Sequence, residues 1–204
     1  MPALLTSPTA ALSRWPHVVP PSAKQWTVAE FHASAAAGVW ADRRPFLLRG
    51  TVWEQGTMNP THAGLLNLVN AALLPILPPD TYVRVQQPLS LNRTTDPMPD
   101  IAVVAGQMRD HLVVHPTTAI LVVEVSDTTL FFDLTSKAEA YAEAGLPEYW
   151  VIDANAGQLL VFRDPVAIPA GGHTYHTRLT LSPTDIVTPL AAPNQPVRVA
   201  DLLP

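Results

Sequence analysis

Three residues in the stretch 99–150 have side chains that can hold a divalent cation and a phosphate group, provided that the fold brings them together. Asp100 begins one apolar segment, Glu124 lies near the end of a second, and Lys137 lies in the segment that follows. Carboxylate oxygens are ligands that Mg²⁺ prefers, and the carbonyl of Val125 offers one more oxygen. An ammonium group neutralises charge that develops on phosphoryl oxygens. This set of residues predicts metal-assisted hydrolysis of a phosphodiester.

Each of these residues also has an ordinary structural explanation. Asp100 follows Pro97 and Pro99, and an aspartate in that place can simply cap the start of a strand. Glu124 follows four apolar residues, where a buried carboxylate needs a metal ion or a lysine as partner; alternatively it lies at the strand end and reaches water. Lys137 lies on an apolar helical stripe, where an isolated lysine commonly extends its stem along the surface. The chemical interpretation therefore depends on convergence of all three.

Hydrophobic periodicity predicts the elements that would position them. In chain order these are strands at 101–104 and 119–125, a helix near 134–144 and a hairpin over 148–163. The second strand is apolar until Glu124, which is typical of a strand buried on both faces. Asp133 is the expected N-cap of the helix and Gly145 its C-terminal glycine. The hairpin is expected to turn through residues 155–157.

Upstream and downstream elements complete the predicted pattern. These are helices over 27–37 and 58–77, two short strands within 46–56, a strand over 81–91 and another strand or two around 174–181. Thr27 and Glu30 form a capping-box pattern, and Asn59 followed by Pro60 is a good helix start. The apolar stripe predicted for the second long helix is Leu65, Leu68, Val69, Ala72 and Leu73. His62 lies one turn before this stripe.

Length and composition predict a single α/β domain (α+β, with a mixed sheet flanked by helices) over residues 26–204. The chain has 204 residues, 48% of them hydrophobic, which suits one domain with a sizeable core. Strands and helices are intermixed, which favours a mixed sheet. The 22 prolines concentrate in turns, in the C-terminal tail and in residues 1–25, which are expected to form an extended arm.

Composition also argues against several classes of function. Without cysteine the chain has neither disulfides nor thiolate metal sites. The N-terminal segment does not resemble a signal peptide, and no apolar run is long enough to span a bilayer, so a cytoplasmic protein is expected. The formal net charge is −5, with only 12 lysines and arginines, which argues against tight wrapping of duplex DNA.

Other candidate residues are weaker. His111 and His115 have the i,i+4 spacing of a zinc pair, but the residues between and after them disfavour the helix that such a pair needs. His173 and His176 are expected at the surface. Three aromatic residues of the late hairpin are expected in the core instead of forming a base-stacking platform: Tyr149, Trp150 and Phe162. Nucleophile-elbow, phosphate-loop and dinucleotide-binding motifs are absent from the sequence.

The string PDIAVV…LVVEVS…D…K…YAEAGLPEYWVID resembles the PD-(D/E)XK nuclease superfamily, and within it the Uma-two family of bacterial endonucleases. The superfamily lysine normally lies two residues after the glutamate, where this chain has Ser126. Some branches place the lysine on the following helix, as Lys137 would be here. The resemblance covers most of residues 26–163 and includes TVAEFH (27–32) and VQQPLSL (85–91).

The resemblance implies a restriction-endonuclease-like fold and a metal-dependent endonuclease acting on DNA, with Mg²⁺ or substituting Mn²⁺ as cofactor. Asp100, Glu124 and Lys137 match its active-site positions, and His62 matches a histidine that is usual near the site. A homodimer is implied by analogy, since cutting both strands of a duplex calls for two sites. One departure stands out, because the family commonly has a glutamate where this chain has Phe46. This departure motivates an alternative, a catalytically degenerate module that binds or regulates.

Overall fold

The computed structural model describes residues 22–204, so most of the predicted arm at 1–25 lies outside the described residues. Residues 22–25 are exposed and have no regular secondary structure. In chain order, the helices and strands are α1 (Val28–Ala36), β1 (Pro45–Leu48), β2 (Thr51–Glu54), α2 (Pro60–Leu73), β3 (Thr81–Val85), β4 (Ile101–Ala105), β5 (Leu121–Ser126), α3 (Leu130–Phe132), α4 (Ala138–Glu143), β6 (Glu148–Asp153), β7 (Gln158–Ala167), β8 (His173–Leu181), β9 (Ile186–Val187) and β10 (Val197–Arg198).

Six strands form the central sheet, in the order β3-β4-β5-β6-β7-β8. The β5–β6 pair is parallel, because a helical crossover joins these two strands, and the other neighbouring pairs are antiparallel. The predicted mixed sheet and the predicted hairpin over 148–163 are thus confirmed. Two further pairs lie outside this sheet, the hairpin β1–β2 and the short pair β9–β10.

The two faces of the sheet are covered by different helices. On one face α2 packs through Leu65, Leu66, Val69 and Leu73, together with buried residues of the C-terminal segment. On the other face α4 packs against β7 and β8, and the Tyr141 ring lies against that of Tyr149 in β6, with centroids 4.9 Å apart. The predicted stripe of α2 was wrong at one position, because Leu68 is 41% exposed. Leu66 faces the core instead of Leu68, so the buried face of α2 is rotated about the helix axis relative to the predicted stripe.

Local capping chemistry explains where the first two helices begin. The Thr27 hydroxyl accepts from the Glu30 N–H at 3.3 Å, and the Glu30 carboxylate accepts from the Thr27 N–H at 2.9 Å, so the predicted capping box is confirmed. Asn59 caps α2 as predicted by accepting from the His62 N–H at 2.9 Å. This cap fixes the first turn of α2, the turn that carries the His62 side chain.

The helix predicted near 134–144 begins earlier than expected. It starts at Leu130 as α3, runs on through a π-helical turn at Asp133–Lys137, and ends with α4. The prediction that Asp133 is the N-cap was therefore wrong, and Thr129 holds that position. Gly145 follows α4 with a φ of +71°, as predicted for the residue that ends the helix.

The strand predicted over 81–91 is shorter than expected. It ends at Val85, and Gln86 then adopts a φ of +50°, which turns the chain out of the sheet. This turn brings the Gln86 side-chain amide close to Asp100, the residue just before β4.

None of the helices among residues 22–204 has both the length and the apolar character needed to cross a membrane.

Candidate active site

Asp100 and Glu124 face each other across neighbouring strands. The antiparallel register of β4 and β5 pairs Ile101 with Val123. Extending that register by one residue places Asp100 opposite Glu124, and directly opposed residues of an antiparallel pair share one face of the sheet. The two carboxylates predicted to act together are therefore brought to the same end of the sheet by strand pairing alone.

Three donors hold the Asp100 carboxylate. The backbone N–H of Val125 donates to Oδ2 at 2.8 Å, and His62 Nε2 and Gln86 Nε2 each donate to Oδ1 at 3.0 Å. Burial by itself would raise the pKa of Asp100, but the hydrogen bonds from His62, Gln86 and Val125 together hold this pKa below its ordinary value. Asp100 is consequently an ionised, fixed acceptor, and Oδ2 retains a free lone pair.

His62 is coupled to this carboxylate. Its side chain projects from the first turn of α2, where its Nε2 must carry a proton because an ionised carboxylate only accepts. The hydrogen bond to Asp100 raises the pKa of His62 above its ordinary value, against the opposing effect of burial. His62 therefore carries more positive charge near neutral pH than a free histidine would.

Glu124 is buried and has two partners. Only 1% of the residue is exposed; Oε1 accepts from the Tyr141 hydroxyl at 2.7 Å, and Oε2 lies 2.9 Å from Lys137 Nζ. Burial raises the pKa of Glu124 to about 7, and the nearby acids Asp100 and Asp133 add to this effect, while Lys137 opposes it. The structure thus places Glu124 inside the protein, where it does not reach bulk water.

The π-helical turn places Lys137 between two acids. Its ammonium lies 2.9 Å from Glu124 Oε2 and 2.9 Å from Asp133 Oδ1, and these contacts raise the pKa of Lys137 although burial alone would lower it. Asp133 is fixed in turn by donation to Oδ2 from the hydroxyls of Ser126, at 2.8 Å, and Thr129, at 2.6 Å. Ser126, which replaces the superfamily lysine, thus supports the acid that holds the displaced lysine. π-helical turns frequently occur at functional sites.

All five residues predicted from the sequence line one cavity of about 780 Å³: His62, Asp100, Glu124, Val125 and Lys137. Within a strand, the N–H and C=O of one residue point to the same side, so the Val125 carbonyl faces the same edge as the N–H that binds Asp100. The structure therefore brings together the residues that were singled out, in two pairs: His62 with Asp100, and Lys137 with Glu124.

Three side chains of this network were missed by the sequence analysis: Gln86, Asp133 and Tyr141. Asp133 and Tyr141 lie four residues before and four residues after Lys137, and that spacing is a signal that could have found them. Gln86 carries no such signal, because its position depends on the left-handed turn that follows β3.

The donor set fits a hard divalent cation in part. Within residues 22–204, no three acidic or histidine side chains are arranged as a complete metal cage. Mg²⁺, however, commonly binds through one or two carboxylates and keeps several waters. The acids that line the cavity are Glu54, Asp100, Glu124 and Asp127, against two permanent cations, Arg44 and Lys137. The surplus of negative charge among these lining residues favours binding of a cation.

The other histidines lie elsewhere. His111 Nδ1 bonds to the Tyr82 hydroxyl at 2.7 Å, whereas His115 Nδ1 accepts from the Arg84 guanidinium at 3.2 Å. The two histidines that were considered as a zinc pair thus bond to two different side chains through their Nδ1 atoms. His176 is exposed and His173 is half-buried.

Aromatic residues of the late hairpin lie in the core. Tyr149 and Trp150 are fully buried, and Phe162 is 6% exposed, so the prediction that these three are core residues is confirmed. They do not line the cavity that holds Asp100 and Glu124.

A six-stranded mixed sheet with helices on both faces, and two carboxylates opposed across neighbouring strands, is the architecture of a restriction-endonuclease-like fold. The chain belongs to the Uma2 family, described as "Putative restriction endonuclease", whose model matches residues 28–198. It is also similar to the crystal structure of a "putative nuclease belonging to DUF820" from Anabaena variabilis, with a TM-score of 0.58 and 14% identity over 78% of this chain and 88% of that chain. No curated protein matches the chain. The resemblance found in the sequence is thus confirmed, and family membership supports a nuclease function.

Proposed function

We propose that this protein is a divalent-cation-dependent endonuclease that hydrolyses phosphodiester bonds of DNA. The observation that carries the proposal is the buried Lys137–Glu124 ion pair, which lines the same cavity as Asp100, the residue opposed to Glu124 across the sheet. The ammonium and the two carboxylates provide the charges that hydrolysis of a phosphodiester needs, and the cavity provides space for the substrate. The proposal requires the expected homodimer only if the substrate is a duplex that is cut on both strands.

Asp100, Glu124 and the Val125 carbonyl would hold the cation, Mg²⁺ or substituting Mn²⁺. When bound, such a cation polarises the phosphoryl group and makes water a stronger nucleophile. The three donors to Asp100 keep that carboxylate ionised and oriented, and the Tyr141 hydroxyl orients Glu124. The task of these protein groups is to fix the ligand oxygens before the substrate arrives.

Lys137 would act through its charge and not as a base. Because Glu124 and Asp133 raise its pKa, its ammonium stays protonated at neutral pH, and it still has a third N–H to donate. That N–H would orient the attacking water or neutralise the phosphoryl oxygens as charge develops. His62, whose pKa is raised by the hydrogen bond to Asp100, would contact the phosphate or give a proton to the leaving oxygen.

Cleavage of a labelled DNA strand by purified protein tests the proposal. We expect cleavage in Mg²⁺ or Mn²⁺, none in a chelator, and loss of the metal-dependent rate in Asp100→Asn and in Glu124→Gln. The matched control is Asp42→Asn, which removes an exposed acid that lies outside the cavity and should cleave like the unmodified protein. Unchanged metal-dependent cleavage in both site variants would refute the proposed residues.

A second candidate function is a nuclease-fold module that binds without cleaving. The observation that favours it is Phe46, which lines the cavity at the position where the family commonly has glutamate, with its ring centroid 5.9 Å from Lys137 Nζ. Calorimetric titration with Mn²⁺ separates the two functions. Binding that Glu124→Gln abolishes argues against a degenerate site, whereas absence of both binding and cleavage favours the module.

A further inference from the structure

One wall of the cavity is made of aromatic side chains that are not buried. Trp53, Phe131 and Phe132 form this aromatic wall, and all three line the cavity that holds Asp100 and Lys137. Trp53 is 42% exposed and Phe131 is 82% exposed. The Trp53 and Phe132 rings pack with centroids 4.7 Å apart. Large exposed aromatic groups that cluster beside a polar site commonly mark a binding surface.

The β1–β2 hairpin holds this wall in place. Trp53 is paired with Phe46 in the strand register, and Phe46 is buried while its partner remains at the surface. The Phe46 ring in turn contacts Phe132, with centroids 6.3 Å apart. The wall is therefore anchored on its inner side by Phe46, and the Trp53 ring packs on Phe132 at the edge of the cavity.

The charges around the cavity suit a single strand better than a duplex. Its lining has more acids than permanent cations, and Arg44, the one guanidinium in that lining, is hydrogen-bonded to Gln86 at 2.9 Å. Binding to duplex DNA depends mainly on neutralising many phosphates. Stacking of a base on an aromatic ring adds affinity that does not come from neutralising phosphates, and an unpaired base has its π-face free for it.

A hydrogen-bonding group lies close to the wall. Gln55, two residues after Trp53, donates its amide N–H to the Met98 carbonyl at 3.0 Å. Its Oε1 is buried and has no partner among residues 22–204, and the residue lines the same cavity. A buried acceptor of this kind is normally satisfied, so it points to a donor that a ligand brings. The amino and imino groups of an unpaired base edge are such donors.

We propose that the aromatic wall stacks an unpaired nucleobase beside the phosphate that the site attacks, so that the substrate is single-stranded nucleic acid. The base lies on Trp53, with its edge toward Gln55, and the phosphate lies toward Asp100 and Lys137. This inference rests on the proposed function for the position of the phosphate. The stacking of the base is a binding property and can be measured without cleavage.

The test is binding of a fluorescein-labelled oligodeoxythymidylate of about 10 nucleotides, a length within known single-strand site sizes. Fluorescence anisotropy is measured with all variants in a Glu124→Gln background, so that the strand stays intact. Trp53→Ala should weaken binding by about 5- to 150-fold, the range that loss of one stacked base gives. Trp53→Phe should retain most of the affinity, and a duplex of equal length should bind more weakly than the single strand.

Phe131→Ala is a second variant that does not put folding at risk, because this side chain is 82% exposed; it should weaken binding in the same direction. Val113→Ala is the matched control, since Val113 is 95% exposed, lies outside the cavity and should bind like the parent. Equal affinity of the parent, Trp53→Ala and Phe131→Ala would overturn the inference, as would tighter binding of the duplex. Self-association lost in Trp53→Ala by sedimentation would assign the wall to a second copy and would also overturn it.

The two proposals fail in different ways. If the protein never cleaves DNA but Trp53→Ala weakens binding of the single strand, the nuclease proposal fails and the stacking site stands. If the protein cleaves DNA in Mg²⁺ and Trp53→Ala binds the strand as tightly as its parent, the stacking site alone fails.

Discussion

The Lys137 ammonium lies 2.9 Å from Glu124 Oε2, and both residues are at least nine-tenths buried. The lysine comes from a π-helical turn and the glutamate from β5, an inner strand of the sheet, so helix packing and strand position must both be right for the pair to form. Asp133 is a second acid on the same ammonium. One buried cation thus compensates two buried carboxylates, and the stability of this region depends on it.

Replacing Lys137 by methionine should lower the free energy of unfolding by about 3–5 kcal/mol, because it leaves buried acids without their cation. Urea unfolding followed by circular dichroism measures the change. The loss should be smaller at acid pH, where Glu124 takes up a proton. The control is Lys24→Met, because Lys24 pairs with Glu30 with 62% of its side chain exposed and should contribute little. Equal unfolding midpoints for Lys137→Met and the unmodified protein would contradict the buried ion pair.

Glu124 should give the metal-free protein an unusual dependence of stability on pH. Its pKa is about 7 in the folded state against an ordinary 4.5, so the folded state binds the proton more tightly between these values. Stability from this group is therefore present below pH 4.5 and is lost as the pH rises through 7, by about 3 kcal/mol. Asp100 acts in the opposite sense, because its pKa is lowered and its contribution is lost on acidification.

The measurement is urea unfolding in a chelator at several pH values, for the unmodified protein and for Glu124→Gln. The glutamine keeps the size of the side chain but does not titrate. The difference in unfolding free energy between the two proteins should move in favour of the unmodified one as the pH falls from 7.5 to about 4.5. A difference that stays constant over this range would show that Glu124 titrates normally.

Much of the fold could be predicted from the sequence because local signals and tertiary packing agree. The capping residues Thr27 and Asn59 mark helix starts that the structure retains, and the apolar run before Glu124 became a fully buried strand. The start of the third helix could not be predicted in this way. Asp133 has the residue type of an N-cap, but its carboxylate is used inside the helix instead, by the Ser126 hydroxyl of β5 and by Lys137 one turn further along.

The positions of site residues could be predicted where they depend on the order of the strands. They could not be predicted where they depend on the conformation of a turn. Asp100 and Glu124 lie opposite each other because two consecutive strands pair, the commonest arrangement. Gln86 reaches Asp100 only because Gln86 itself adopts a left-handed backbone conformation, which no residue pattern predicts. Trp53 was also missed, since a single tryptophan on a short strand does not indicate whether its ring is buried or faces a cavity.

Tyr141→Phe should destabilise the protein by about 1.5–3 kcal/mol, because it removes a hydrogen bond to the Glu124 carboxylate in a buried place. It should also raise the pKa of Glu124 further, which a carboxyl-carbon NMR titration measures. Tyr149→Phe is the matched control, since that buried hydroxyl donates to a neutral carbonyl, that of Asp133, at 3.1 Å. The control should lose only about 0.5–1.5 kcal/mol. A larger loss in the control, or an unchanged pKa of Glu124 in Tyr141→Phe, would contradict the proposed orientation of the carboxylate.

Phe46→Glu restores an acid where the family commonly has one. The Phe46 ring centroid lies 5.9 Å from Lys137 Nζ and the residue lines the cavity, so a carboxylate in this place would be close to the proposed ligands. We expect tighter binding of Mn²⁺ in calorimetry and a faster metal-dependent cleavage. We also expect lower stability in the metal-free protein, since another acid is placed beside buried carboxylates.

The glutamine variant separates charge from shape. Phe46→Gln removes the aromatic ring and brings an uncharged side chain of the same size as glutamate, so it should lose the packing against Phe132 without gaining affinity for the cation. If both variants bind Mn²⁺ equally, charge at this position does not matter and Phe46 is only a packing residue. If Phe46→Glu alone gains both binding and cleavage, the phenylalanine weakens a site that is otherwise able to work.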